Sequence, residues 1–104
     1  MKYLFNSKGK HIANESRGQL HSTSGKNFGH YLDNHKFFID MNGRYLGELY
    51  DGNRLLHRLG NGYENVSFGN YGNYGNIGSF GNPGNIGNAG MPAGYKDIVE
   101  EKLK

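Results

Sequence analysis

From Tyr3 to Leu59 the chain alternates short apolar runs with clusters of turn-forming residues. Phe37, Phe38 and Ile39 form a β-prone run, and Asp40-Met41-Asn42-Gly43 then supplies a turn whose Asn-Gly pair accepts positive φ. Arg44 to Tyr50 return as a second strand, Asp51-Gly52 turns again, and Asn53 to His57 start a further strand. The pattern predicts a meander of hairpins.

The same pattern recurs within the chain. A shift of 34 residues lays Tyr3-Leu4-Phe5-Asn6 on Phe37-Phe38-Ile39-Asp40 and Gly9-Lys10 on Gly43-Arg44. A middle copy lies between them, because Gly25-Lys26-Asn27-Phe28-Gly29 matches Gly9-Lys10-His11-Ile12-Ala13 and Gly43-Arg44-Tyr45-Leu46-Gly47. The spacing, 16 and then 18 residues, holds two short strands and two turns. Turns are therefore predicted near Lys8-Gly9, Ser24-Gly25 and Asn42-Gly43, with the glycines supplying positive φ. Ile12, Phe28 and Leu46 are the expected inward anchors. By strand alternation, the small residues after them, Ala13, Gly29 and Gly47, are expected on the opposite face, where a neighbouring backbone comes close. A decayed fourth copy falls at Asn53 to Gly60.

Residues 2 to 59 resemble the four-fold beta flower proteins, a small bacterial family described mainly by its shape. The resemblance rests on Tyr3-Leu4-Phe5-Asn6-Ser7-Lys8-Gly9-Lys10 and on Phe37-Phe38-Ile39-Asp40-Met41-Asn42-Gly43-Arg44-Tyr45-Leu46-Gly47. It implies a compact all-β arrangement of hairpin petals about a pseudo-symmetry axis. It brings no activity and no binding residues with it.

After Leu59 the pattern changes. From Gly69 to Gly90 every third residue is glycine, the next slot is mostly Asn, and the third holds Tyr71, Tyr74, Ile77, Phe80, Pro83, Ile86 and Ala89. In an extended left-handed helix this period would give a glycine edge, a polar edge and an apolar edge. With only 2 prolines in the chain, a collagen-like triple helix is disfavoured. Asp97 to Lys104 reads as a short helix with Ile98, Val99 and Leu103 available for burial. The expected fold class is thus all-β, with short antiparallel hairpin repeats in a compact pseudo-symmetric arrangement, a Gly-x-x extended segment and a short C-terminal helix. The corresponding units are a hairpin domain at 1–68, the period-three segment at 69–95 and the helix at 96–104.

Composition narrows the functional classes. With 104 residues, 18 glycines and 35% hydrophobic residues the core is limited, so stability is expected from repetition, tight turns or self-association. The absence of cysteine removes disulfides and thiolate zinc sites. The net charge of +3 is spread among interspersed acids without a basic stripe, which argues against a nucleic-acid partner. No run is long enough to span a membrane, and no 7-residue apolar core follows Met1 to Phe5 as a signal peptide requires, which favours a cytoplasmic protein.

Candidate chemistry is sparse. His11, His21, His30, His35 and His57 lack His-x-His or His-x-x-x-His spacing, so no metal site is expected. Asp33, Asp40, Glu48 and Asp51 sit mostly in or beside turns, where hydrogen bonds to backbone N–H groups account for them. Gly18 to Lys26 fails the phosphate-loop spacing, and no nucleophile elbow occurs. No catalytic, cofactor or metal residue is therefore assigned. The aromatic residues remain, since their faces accept sugars, bases or a second protein surface. Tyr31, Tyr45, Tyr50, Tyr71, Tyr74 and Phe80 are the candidate ligand or interface residues. The expected role is a structural or protein-interaction module forming a homo-oligomer, with a glycan or another protein as further partner. A glycan- or nucleic-acid-binding module using exposed aromatics is the alternative.

Overall fold

The computed structural model describes residues 1–69, 72, 75, 77, 78 and 81–103. Seven strands follow one another as a meander: β1 (Lys2–Phe5), β2 (His11–Ser16), β3 (Gln19–His21), β4 (Asn27–Leu32), β5 (Phe37–Asp40), β6 (Tyr45–Tyr50) and β7 (Arg54–Arg58). Each is antiparallel to the next. Strands one and seven of an up-and-down meander run the same way, so the pair that closes the barrel must be parallel. Phe5 accordingly pairs with Arg54 in parallel, and the Phe5 N–H donates to the Asn53 carbonyl at 2.9 Å. An eighth strand, β8 (Tyr95–Asp97), pairs antiparallel with the far half of β7.

Three hairpins are built identically at their tips. In the first, the Asn6 N–H donates to the Lys10 carbonyl and the Gly9 N–H to the Asn6 carbonyl; the same two bonds recur at Ser22, Lys26 and Gly25, and at Asp40, Arg44 and Gly43. This is a three-residue loop whose last position must be left-handed, and Gly9, Gly25 and Gly43 hold φ of 90°, 97° and 79° there. The side chain that opens each loop closes it as well. Asn6 Oδ1 accepts from the Lys8 and Lys10 N–H groups, Ser22 Oγ accepts from Lys26 N–H, and Asp40 Oδ1 accepts from Asn42 and Arg44 N–H. All three predicted turns stand where the sequence places them.

One feature of the strands departs from simple alternation. Leu4 faces Ala13 but Phe5 faces His11; Leu20 faces Gly29 but His21 faces Asn27; Phe38 faces Gly47 but Ile39 faces Tyr45. Ile12, Phe28 and Leu46 are the extra residues of three equivalent β-bulges. A bulge lets two consecutive residues share a face, so Ile12 and Ala13 lie in one core cluster with Leu4, Leu20, Phe28, Phe38, Leu46 and Leu55. The expectation that Ala13, Gly29 and Gly47 face away from their anchors is overturned. The expected close approach is present, since a Cβ on Gly29 would lie 2.7 Å from the Ile39 carbonyl oxygen and one on Gly47 would lie 2.7 Å from that of Leu56.

The C-terminus completes this core. Ile98 and Leu103 join the same cluster, at 7% and 5% exposure. The expected helix is a single 3-10 turn, Glu100–Leu103, preceded by β8 rather than by more helix. A second, outer cluster packs Phe37, Ile39 and Tyr45 under Leu32, Tyr63 and Phe68.

Candidate interaction surface

The period-three segment engages the barrel at its three glycine turns. The Phe68 N–H donates to the Gly43 carbonyl at 2.8 Å, Ile77 to Gly25 at 3.0 Å and Ile86 to Gly9 at 2.9 Å. The anchors are nine residues apart, and nine more lead to Tyr95, which pairs with Arg58 as β8 begins. The segment thus meets the hairpin tips in reverse chain order and ends beside β7. Three glycine triplets make one step, so the same slot returns to each tip. A Cβ on Gly9, Gly25 or Gly43 would overlap the carbonyl of Ile86, Gly78 or Gly69 respectively, which gives these glycines a second reason beyond their φ.

The described residues of the segment do not adopt the extended left-handed helix in which the period would give three edges. Gly69, Gly75, Gly78, Gly81, Gly84 and Gly90 hold φ between 74° and 95°, so the backbone turns repeatedly instead of running in polyproline geometry. Asn side chains serve these turns locally, with Asn82 Oδ1 accepting from the Gly84 N–H at 2.8 Å and Asn88 Oδ1 from Gly90 at 2.7 Å.

The first hairpin tip is clamped from three directions. Asp97 accepts from the Ser7 N–H at 2.9 Å and from its hydroxyl at 2.7 Å. Arg54 donates to the Asn6 carbonyl at 3.0 Å and to the Gly87 carbonyl at 2.8 Å, while the Ala89 N–H donates to the Ser7 carbonyl at 2.9 Å. Lys10 pairs with Glu100 on the same side. Sequence reasoning missed Arg54, Asp97 and the tail anchors. The nine-residue recurrence of Phe68, Ile77, Ile86 and Tyr95 was the signal that would have found the anchors.

The aromatic candidates are dispersed. Tyr31 is half-buried against Phe38, with ring centroids 4.9 Å apart. Tyr45 is buried at 5% exposure between Phe37 and His57. Its hydroxyl donates to Glu48 at 2.8 Å and accepts from the Arg58 N–H at 3.1 Å. Burial pushes the Tyr45 phenol well above its ordinary value, and the neighbouring Glu48 carboxylate adds to the shift. Tyr50 is exposed at 39% and lies 5.3 Å from the ring of Tyr95. Tyr71, Tyr74 and Phe80 lie outside the described residues.

The histidines are likewise scattered among separate environments. His11 Nε2 donates to Asn14 Oδ1 at 2.6 Å, His35 packs among Phe37, Tyr63 and Phe68, and His57 contacts the Leu46 carbonyl and Glu64. Burial holds the His30 imidazole below its ordinary value. Hydrogen bonds from Asn61 and then His57 hold the Glu64 carboxyl below its own. Among the described residues no group of three His, Asp or Glu gathers in a metal-holding arrangement. Among them, too, no helix is long and apolar enough to cross a membrane.

No protein-family model, curated protein or solved structure matches this chain.

Proposed function

We propose that the chain is a structural or protein-interaction module of the four-fold beta flower kind, and that it self-associates. Three hairpins with the same tip, bulge and small residue support the petal reading, and β7 with β8 supplies the fourth pair. The observation that carries self-association is the placement of exposed apolar side chains. Among the described residues the exposed large apolar side chains are Met1, Tyr50, Leu59, Val66, Met91 and Val99, and four of these six, Tyr50, Leu59, Met91 and Val99, are attached to the fourth pair. Leu59 follows β7 and its N–H donates to the Gly94 carbonyl, Met91 and Val99 flank β8, and the Tyr50 ring meets Tyr95. Exposed apolar groups rimmed by charge favour a protein contact.

Light scattering after size exclusion on the full chain tests this reading. A monodisperse oligomer that falls to monomer mass in a Leu59→Asp, Val99→Asp variant with an unchanged β spectrum supports it. A monomer across the accessible concentration range overturns it. The exposed Tyr50 beside Tyr95 favours a glycan platform as the second reading, which predicts that soluble oligosaccharides alter tyrosine fluorescence in the native chain but not in Tyr50→Ala.

A further inference from the structure

The outer face of β2 and β3 carries a polar ladder that the barrel itself does not use. Asn14 lies opposite His21, and Ser16 opposite Gln19, on the face turned away from Ala13 and Leu20 in the core. Asn14 and His21 are 0% and 2% exposed, yet among the described residues Asn14 Nδ2 and His21 Nδ1 have no hydrogen-bond partner. A buried polar group left in this condition weakens the fold unless something else satisfies it. Asn14 Oδ1 is already taken by His11 Nε2, so what remains on Asn14 is donor capacity.

His21 lines a cavity of about 470 Å³ together with Ser16, Arg17, Gln19 and Ile77. That volume falls within the range of small-molecule sites. Among the described residues the lining holds a guanidinium, an imidazole, a hydroxyl and an amide, and no acidic side chain. Gln19 Oε1 faces Asn27 Nδ2 at 3.5 Å, which directs the amide nitrogen of Gln19 toward other acceptors. Arg17 stands at φ 53°, a position that Asn, Asp or Gly occupies at lower cost. Ile77 contributes an apolar wall and is itself pinned by its bond to Gly25.

We propose that this cavity binds a small organic oxyanion, its charged head between Arg17 and His21 and its apolar part against Ile77. A forked guanidinium is the side chain best matched to a carboxylate or phosphate, and the His21 ring on the cavity wall gives the ligand a second polar contact. Carboxylates and phosphates share this chemistry. The site is independent of the fourth hairpin pair, so it stands or falls apart from self-association.

The test is a nitrogen-15 NMR titration of the full chain with butyrate and, separately, with methyl phosphate. Saturable shifts of the His21 Nδ1 resonance and of the Gln19 and Ile77 amides are expected with at least one probe. The probe that saturates identifies the source class. Arg17→Asn tolerates the left-handed backbone and is expected to weaken binding at least tenfold while amide shifts elsewhere stay in place. The proposal is overturned if neither probe shifts His21 Nδ1 in the native chain, or if Arg17→Asn binds as tightly as the native protein.

Discussion

The N–H of Ile86 donates to the carbonyl of Gly9 at 2.9 Å, and the Ile86 carbonyl presses against the Cα of the same glycine. The same residue pair recurs as Ile77 with Gly25, so the tail reads each hairpin tip through one bond and one close approach. The cost of adding a methyl group at these glycines separates the two effects.

Gly52 holds φ 86° with nothing within 4 Å of an added Cβ, so Gly52→Ala bears only the backbone cost, about 1–2 kcal/mol. Gly9→Ala and Gly25→Ala must also displace the tail and are expected to cost at least about 1 kcal/mol more. Urea unfolding of the three variants decides it. Equal losses would mean that the tail contributes nothing to stability.

Ile98 is predicted to behave as a central core residue although it stands six positions from the last residue. It packs with Leu4, Leu46 and Leu55, and Ile98→Ala is expected to lose about 2–5 kcal/mol. Exposed Val66→Ala, away from the fourth pair, is the control and should change stability by less than about 0.5 kcal/mol. A small loss at Ile98 would show that the C-terminus is not integral to the barrel.

Arg54 joins the closing strand to the first tip and to the tail. Arg54→Leu leaves the Asn6 and Gly87 carbonyls without this donor, and local opening there is expected to become easier. Hydrogen exchange at the Ile86 and Ala89 amides should accelerate at least tenfold, while exchange at the Gly25 tip stays close to the native rate. Uniform acceleration across the chain would contradict a local clamp.

Tyr45 gives the protein an alkaline limit. Its phenol is raised in the folded state, so the folded chain retains a proton that the unfolded chain releases above about pH 10. Stability from this group is complete below that pH and falls as pH rises beyond it, by about 1.4 kcal/mol per pH unit in the limit of one proton. Absorbance titration should show at least one tyrosine that ionises only with unfolding, and Tyr45→Phe should remove it. If every tyrosine ionises reversibly in the folded Tyr45→Phe and native chains alike, the burial argument fails.

The hairpin tips were legible in the sequence because their causes are local. Gly9, Gly25 and Gly43 must be left-handed, and Asn6, Ser22 and Asp40 close their loops within four residues. Five residues therefore carry all the information that each tip needs. The faces of Ala13, Gly29 and Gly47 were not legible, because a bulge changes the alternation and is set by pairing with another strand. The aromatic candidates show the same division. Tyr45 and Tyr50 are equivalent as residue types, yet one is enclosed by the outer cluster and the other stands at 39% exposure. The closure of β1 on β7, the entry of Ile98 into the core and the return of the tail to Gly43, Gly25 and Gly9 join positions far apart in the chain. Local propensity specifies the turn chemistry of each unit; which units meet is decided by the burial and hydrogen bonding available only once the barrel has closed.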